Sequence, residues 1–134
     1  MLRALCGLVI MEEENKIATD IVNAAFRVHK ELGPGLLESA YQAALSHVLL
    51  KEGFKVELEK VQPVYFEGER IDVGYRLDML VNDKVIVELK AVDAFKDIHI
   101  AQVITYLKLS GCRLGILLNF NVRLLKHGIK RVVL

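Results

Sequence analysis

The segment Val85-Ile86-Val87-Glu88-Leu89-Lys90 constrains this chain more than any other. Its apolar residues mark a strand buried on both faces, yet it carries a carboxylate and an ammonium two residues apart. Side chains alternate along a strand, so Glu88 and Lys90 project to the same side. Charge in such a setting costs several kcal/mol unless it is paired, neutralised or used to hold a cation. The fold must supply that partner.

A partner lies upstream. Arg76 to Val81 reads as a strand that returns through Asn82-Asp83-Lys84 to Val85. Directly opposed residues of an antiparallel pair point the same way. A two-residue turn at Asn82-Asp83 would place Asp78 opposite Val87, on the wrong face. A three-residue loop, Asn82-Asp83-Lys84, places Asp78 opposite Glu88 and Arg76 opposite Lys90. Joint chemistry by Asp78, Glu88 and Lys90 therefore requires an odd-length loop or a compensating bulge.

The rest of the chain supplies a frame for this hairpin. Ile17, Ile21, Ala24, Ala25, Val28 and Leu32 fall at helical spacing over Lys16 to Leu32, and Gly33-Pro34-Gly35 ends that helix. A second helix is predicted from Leu36 to about Glu52, closed by Gly53. Phe54 to Glu59 alternates as a strand with one wet face; Val64-Tyr65-Phe66 begins another, with a turn at Glu67-Gly68-Glu69. The period becomes helical from Ala94 to Ser110, Gly111 stops it, Leu114 to Phe120 reads as a buried strand, and Ile129 to Leu134 adds a short final one. Strands on both sides of a crossover helix imply an α/β fold with a mixed sheet and helices on both faces. There is no internal repeat, and 134 residues with 53% hydrophobic content suit one domain.

The ends of the chain differ in charge. Glu12, Glu13 and Glu14 lie early, whereas no acidic residue follows Asp97 and Lys108, Arg113, Arg123, Lys126, Lys130 and Arg131 do. With a net charge of +1 there is no global polyanion signal, and the basic third suits either phosphates or acidic groups elsewhere on the surface. Two cysteines, Cys6 and Cys112, make no disulfide framework and have no metal-ligand spacing, which fits a reducing compartment and predicts a cytoplasmic protein. Met1 to Ile10 is apolar but too short to span a bilayer and lacks an export cleavage site. We read residues 1–10 as a disordered extension, with Met11 an alternative start, and 11–134 as the single domain.

Two carboxylates converging on one point repel unless a proton or cation lies between them. Oxygen ligands that leave positions open suit Mg²⁺, with Mn²⁺ as a substitute, and a nearby ammonium stabilises negative charge developing on phosphorus. Asp78, Glu88 and Lys90 thus point to metal-assisted phosphodiester hydrolysis. Glu-x-Lys alone carries no such meaning, because exposed Glu–Lys pairs are common and contribute little; Asp78 and the apolar setting narrow the choice. Glu38 and Tyr41 sit one turn apart on the second helix, and Gln102 and Tyr106 are spaced by four on the later one, with His99 one turn earlier. Gln102 and Tyr106 are placed to bond a phosphate or support Lys90, while Tyr41 and Tyr106 equally suit core aromatics with a satisfied hydroxyl. Glu38 suits a helix N-terminus on dipole grounds alone. His29, His47 and His127 have no functional reading, and no Cys/His cluster points to zinc. Gly33-Pro34-Gly35 joins two helices rather than a strand to a helix, so it reads as a hinge or cap and not as a phosphate loop.

Four blocks in order resemble the GxxExxY protein family. They are Gly35-Leu36-Leu37-Glu38-Ser39-Ala40-Tyr41; Arg76-Leu77-Asp78 with Val87-Glu88-Leu89-Lys90-Ala91; Ala101-Gln102 through Tyr106-Leu107; and Leu117-Leu118-Asn119-Phe120. The likeness spans about Met11 to Val133, and that family resembles a compact branch of the PD-(D/E)XK nuclease superfamily. The resemblance implies a restriction-endonuclease-like core, with Asp78, Glu88, the Leu89 carbonyl and Glu38 as metal ligands. It implies Lys90 as the catalytic lysine, and Gln102 and Tyr106 as the Q-x-x-x-Y element of the exonuclease-like branch. Leu77, rather than proline, precedes Asp78. The leading expectation is a Mg²⁺-dependent nuclease acting on DNA before RNA, alone, as a homodimer or within a larger complex, without a membrane. The alternatives are a nucleic-acid-binding or regulatory module that keeps the fold without turnover, and an interaction protein whose apolar surfaces serve a partner.

Overall fold

The computed structural model describes residues 2–71 and 74–134, with side chains described from Met11 onward. Helix α1 runs Leu2–Leu32, α2 Glu38–Lys51 and α3 Asp97–Ser110. The strands are β1 Val56–Val61, β2 Val64–Phe66, β3 Glu69–Ile71, β4 Arg76–Val81, β5 Val85–Lys90, β6 Leu114–Asn119 and β7 Ile129–Val133, with a short 3₁₀ turn at Leu125–Gly128 before β7. Five strands form one sheet in the order β1-β4-β5-β6-β7, and β2 and β3 pair as a separate hairpin. Only β5 and β6 run parallel in the main sheet; the other neighbours are antiparallel. A parallel pair needs a long crossover, and α3 supplies it.

Each face of the sheet receives a helical layer. Ile17, Ile21, Ala24, Ala25 and Val28 of α1 and Tyr41, Leu45 and Leu49 of α2 pack on Met79, Val81, Val85, Val87, Leu89, Ile116 and Leu118. Val103, Tyr106 and Leu107 of α3 pack on Leu77, Leu80, Ile86 and Leu117 from the other side. The mixed sheet between helices is the architecture the sequence predicts. The helical periodicity marks only the buried part of α1; the backbone helix continues back to Leu2, through the stretch read as an extension. The side chain of Cys6 lies outside the described residues, as do Asp72 and Val73, which the sequence places on the approach to β4; Cys112 is a half-buried free thiol.

The β4–β5 loop settles the hairpin parity. Val81 pairs with Val85, so Asn82, Asp83 and Lys84 form a three-residue loop. Asn82 and Asp83 both have positive φ, 51° and 58°, and Lys84 N–H donates to the Val81 carbonyl at 3.1 Å. That is the signature of a primed hairpin turn, with Lys84 as one extra residue before the ladder resumes. Short polar Asn and Asp tolerate the left-handed region, and the Asn82 side chain accepts a bond from Lys55 N–H at 2.9 Å.

Two glycines fix close approaches. A Cβ on Gly115 would lie 2.6 Å from Val103 Cγ1, so the glycine lets α3 settle onto β6. A Cβ on Gly128 would lie 2.1 Å from the Asn119 carbonyl oxygen, where backbone meets backbone. A valine side chain can move aside and a carbonyl in the sheet cannot. Gly115→Ala should therefore cost about 1–3 kcal/mol in urea unfolding, and Gly128→Ala distinctly more. Equal costs at the two sites would contradict this packing.

Candidate active site

Opposite strands β4 and β5 part company at the position the parity argument singles out. Their ladder holds at Val81–Val85, Leu80–Ile86 and Met79–Val87, and goes no further. Beyond it two carboxylates take over. Asp78 N–H donates to Glu88 Oε1 at 3.1 Å, and Leu89 N–H donates to Asp78 Oδ2 at 3.0 Å. Each acid satisfies a backbone donor on the opposite strand, so the split is bridged by side chains instead of carbonyls. The side-chain alternation of β4 also breaks here: Leu77 and Leu80 both join the α3 layer, while Met79 joins the α1–α2 layer.

Glu88 is 3% exposed. Burial, and then the charge of the adjacent Asp78, push its carboxyl up to about 8, against the pull of the Asp78 N–H bond and the Lys90 ammonium. Lys90, two residues on, is half-buried and stands opposite Asn119 in the parallel register.

Both helical layers reach this split. From the α2 side, Asp78 and Leu89 line a cleft of about 200 Å³ together with Glu38, Ser39, Gln42 and Glu59. Glu38 Oε1 accepts the Ala91 N–H at 3.1 Å, which ties the start of α2 to the end of β5. From the α3 side, Gln102 Nε2 donates to Tyr106 Oη at 3.0 Å. Burial first, and the Glu88 carboxylate second, hold the Tyr106 hydroxyl above its ordinary range, so it remains a neutral donor. Gln102 and Tyr106 also border a groove of about 530 Å³ shared with Tyr75, Ile98 and His99. His99 is a local structural residue, its Nδ1 accepting Lys96 N–H at 3.0 Å.

Tyr41 is brought close but not into the cleft. It is 0% exposed, stacks on Phe120 with centroids 4.5 Å apart, donates to the Gly33 carbonyl at 2.6 Å and accepts Leu36 N–H at 3.1 Å. Its hydroxyl is fully used in locking the turn that presents Glu38, so it supports the site without facing it.

Three contributors carry no sequence-based role. Gln42 Nε2 donates to the Asp78 carbonyl at 2.8 Å and to Glu59 Oε1 at 2.9 Å, holding β4 where it leaves the ladder. Glu59 has φ +51°, an unfavourable left-handed conformation for a glutamate, stored beside the split. Asn119 is buried, accepts Val92 N–H at 3.1 Å and donates to the Val92 carbonyl at 2.8 Å, fixing the chain just after Lys90. Helical spacing puts Gln42 four residues past Glu38, on the same face of α2, but its partner on β4 is not visible from the local sequence. Nothing in the local sequence announces the backbone of Glu59.

A family model describing the PD-(D/E)XK nuclease superfamily matches residues 15–132. The chain belongs to the PD-(D/E)XK nuclease superfamily. No curated protein and no solved structure matches it significantly. In the sequence Asp78 is followed by Glu88-Leu89-Lys90, an acid and then an acid-x-lysine in the order that the superfamily's name spells. The superfamily's divalent metal chemistry fits the pair: two touching carboxylates, one buried and reluctant to ionise, form a place where a cation relieves an electrostatic penalty. Among the described residues, no three His, Cys, Asp or Glu gather closely enough to form a complete protein cage. Glu38 stands aside at the Ala91 amide. A divalent ion held by Asp78 and Glu88 would keep coordination positions for ligands from outside the protein.

A raised carboxyl pKa has a definite consequence for stability. Glu88 binds its proton more tightly in the folded chain than unfolded, so its contribution is full below the unfolded value of 4.5 and is lost as pH rises to about 8. In chelator, the stability difference between Glu88→Gln and the wild type should grow in favour of the variant across that window, at a limiting slope of about 1.4 kcal/mol per pH unit. Thermal melts at intervals of pH measure it; a constant difference would contradict the assignment.

Proposed function

We propose that the chain is a divalent-metal-dependent nuclease, Mg²⁺ being its ion, that hydrolyses phosphodiester bonds of DNA and, less readily, RNA. The carrying observation is the pair of carboxylates at the strand split with Lys90 beyond them. The order of blocks from Gly35 through Phe120 supports placing it within the GxxExxY branch. Asp78 and Glu88 would hold the ion, the Leu89 carbonyl completes the ligand set implied by the resemblance, and Glu38 borders the cleft as an auxiliary carboxylate. When bound, the ion supplies charge neutralisation at the phosphate and greater acidity to water.

The chain's own residues do the rest. The ammonium of Lys90 stabilises negative charge developing on the phosphate oxygens and orients the attacking water. Gln102 and Tyr106, bonded to each other, offer neutral donors on the α3 side of the carboxylates. Asn119 and Glu38 hold the chain after Lys90, so that its backbone does not drift when substrate binds. No helix among the described residues is long and apolar enough to cross a membrane.

A second reading has one observation in its favour: Glu38 Oε1 is engaged by the Ala91 N–H, so one oxygen of the auxiliary carboxylate serves the backbone. A nucleic-acid-binding module without turnover fits that arrangement. The two readings separate in one set of assays on plasmid, single-stranded DNA and RNA. The nuclease reading predicts cleavage that stops with chelator and returns with Mg²⁺, and a fall of about 10²–10³ for Lys90→Ala at unchanged melting temperature. Absence of metal-dependent cleavage on all three, with binding that survives Glu88→Ala, would establish the module instead.

A further inference from the structure

The Gly33–Gly35 turn that leads to Glu38 also forms one wall of a second groove, of about 610 Å³. Lys30 from α1 and Arg123 and Lys126 from the segment after β6 line it, and none of the residues lining it is acidic. All three cations are exposed, and among the described residues no ion pair engages them. Elsewhere Arg27, Lys55, Lys60 and Lys84 each meet a carboxylate, whereas Lys16, Lys51, Lys108 and Lys130 stand exposed and scattered; what sets the groove apart is three such cations on one lining with no acid among them. A cation at a helix C-terminus answers the helix dipole, which explains Lys30 alone. Arg123 and Lys126 lie on no α-helix, so the dipole does not account for them.

The groove is built rather than incidental. His29 is 8% exposed and its Nε2–H donates to the Val122 carbonyl at 2.7 Å, tying the Arg123 segment to α1. Leu125 is buried beneath, anchoring the turn that carries Lys126. Phe26 and Leu124 keep 41% and 48% exposure along the groove and present apolar surface between the charges. The segment also starts at the candidate active site: Phe120 N–H donates to the Lys90 carbonyl at 3.0 Å, and Phe120 stacks on Tyr41. The groove therefore opens at the carboxyl end of the parallel β5–β6 pair, the end at which open α/β sheets bind ligands.

We propose that this groove carries the sugar-phosphate backbone of the substrate strand beyond the scissile bond, with Lys30, Arg123 and Lys126 on successive phosphates and Phe26 and Leu124 against sugars or bases. It rests on the nuclease reading for the identity of the polyanion, and on the unpaired charges for its course. Charge complementarity chooses the occupant: an apolar floor edged by unpaired cations and no acid suits a chain that alternates apolar rings with anions.

Fluorescein-labelled single-stranded and duplex oligonucleotides, titrated with the full chain between about 50 and 200 mM salt, test it. The variant Lys30→Gln/Arg123→Gln/Lys126→Gln should bind more weakly whatever the sequence, with the slope of log K against log salt reduced by about 2 on single strands and about 3 on duplex. The control Lys16→Gln/Lys51→Gln/Lys108→Gln, at exposed positions outside the groove, should keep the wild-type slope. An unchanged slope in the groove variant, or equal losses in both variants, would overturn the proposal. So would binding of polyglutamate lost in the groove variant while its oligonucleotide slope stays intact, which would give the groove to an acidic polypeptide. The two readings fail separately: a wild type that binds with the groove-dependent slope but never cleaves sinks the nuclease, whereas one that cleaves while the groove variant keeps its slope sinks only the groove.

Discussion

The reciprocal bonds between Asp78 and the β5 strand are the constraint on which the rest of this molecule depends. Two antiparallel strands that separate inside a core leave backbone donors without partners, at a cost of about 1–3 kcal/mol for each one. Here the donors at Asp78 and Leu89 are satisfied by carboxylates, Glu88 and Asp78 respectively. The sheet can open only because those acids are present, and they are held in contact only because the sheet opens. One arrangement thus makes the strand split tolerable and creates the electrostatic demand that a proton or a cation answers.

Everything around the split keeps it open at a fixed width. Gln42 pulls the Asp78 carbonyl toward α2, and Glu59 accepts an unfavourable backbone conformation on the neighbouring strand. Tyr41 locks the turn between α1 and α2, so Glu38 arrives at the end of β5 and caps Ala91. Asn119 does the same from β6 for Val92. Lys90 consequently sits between two braced segments, with Gln102 and Tyr106 on the α3 side. This division of labour suits the hydrolytic site proposed above: rigid surroundings, and a cation placed beyond the acids.

Much of this was legible in the residues because period-2 alternation is a strict rule. Glu88 and Lys90 had to share a face, and Asn82-Asp83-Lys84 had to be a three-residue loop if Asp78 was to join them; Val81 does pair with Val85. The helical layers followed from the spacing of Ile17, Ile21, Ala24 and Val28 and from the crossover between two parallel strands. Local pattern fails where geometry is set by distant packing. The parity argument placed Arg76 opposite Lys90, but the ladder ends at Met79, because the carboxylates replace it. Polar residues such as Gln42 and Asn119 reveal their roles only when the elements that they bridge, 36 and 27 residues away in sequence, are brought together. Residues 2–10, apolar but for Arg3, give no helical period to read, so the start of α1 is visible only in the backbone.

The central claim is that Asp78 and Glu88 form one cation-binding unit across the split strands. Anomalous diffraction from crystals of the full chain soaked in Mn²⁺ at pH 8 tests it most directly. The account predicts a manganese peak at the Asp78 and Glu88 carboxylates, lost in Glu88→Gln. A cleft without manganese at saturating concentration, with the Lys90 ammonium lying between the two acids, would contradict it.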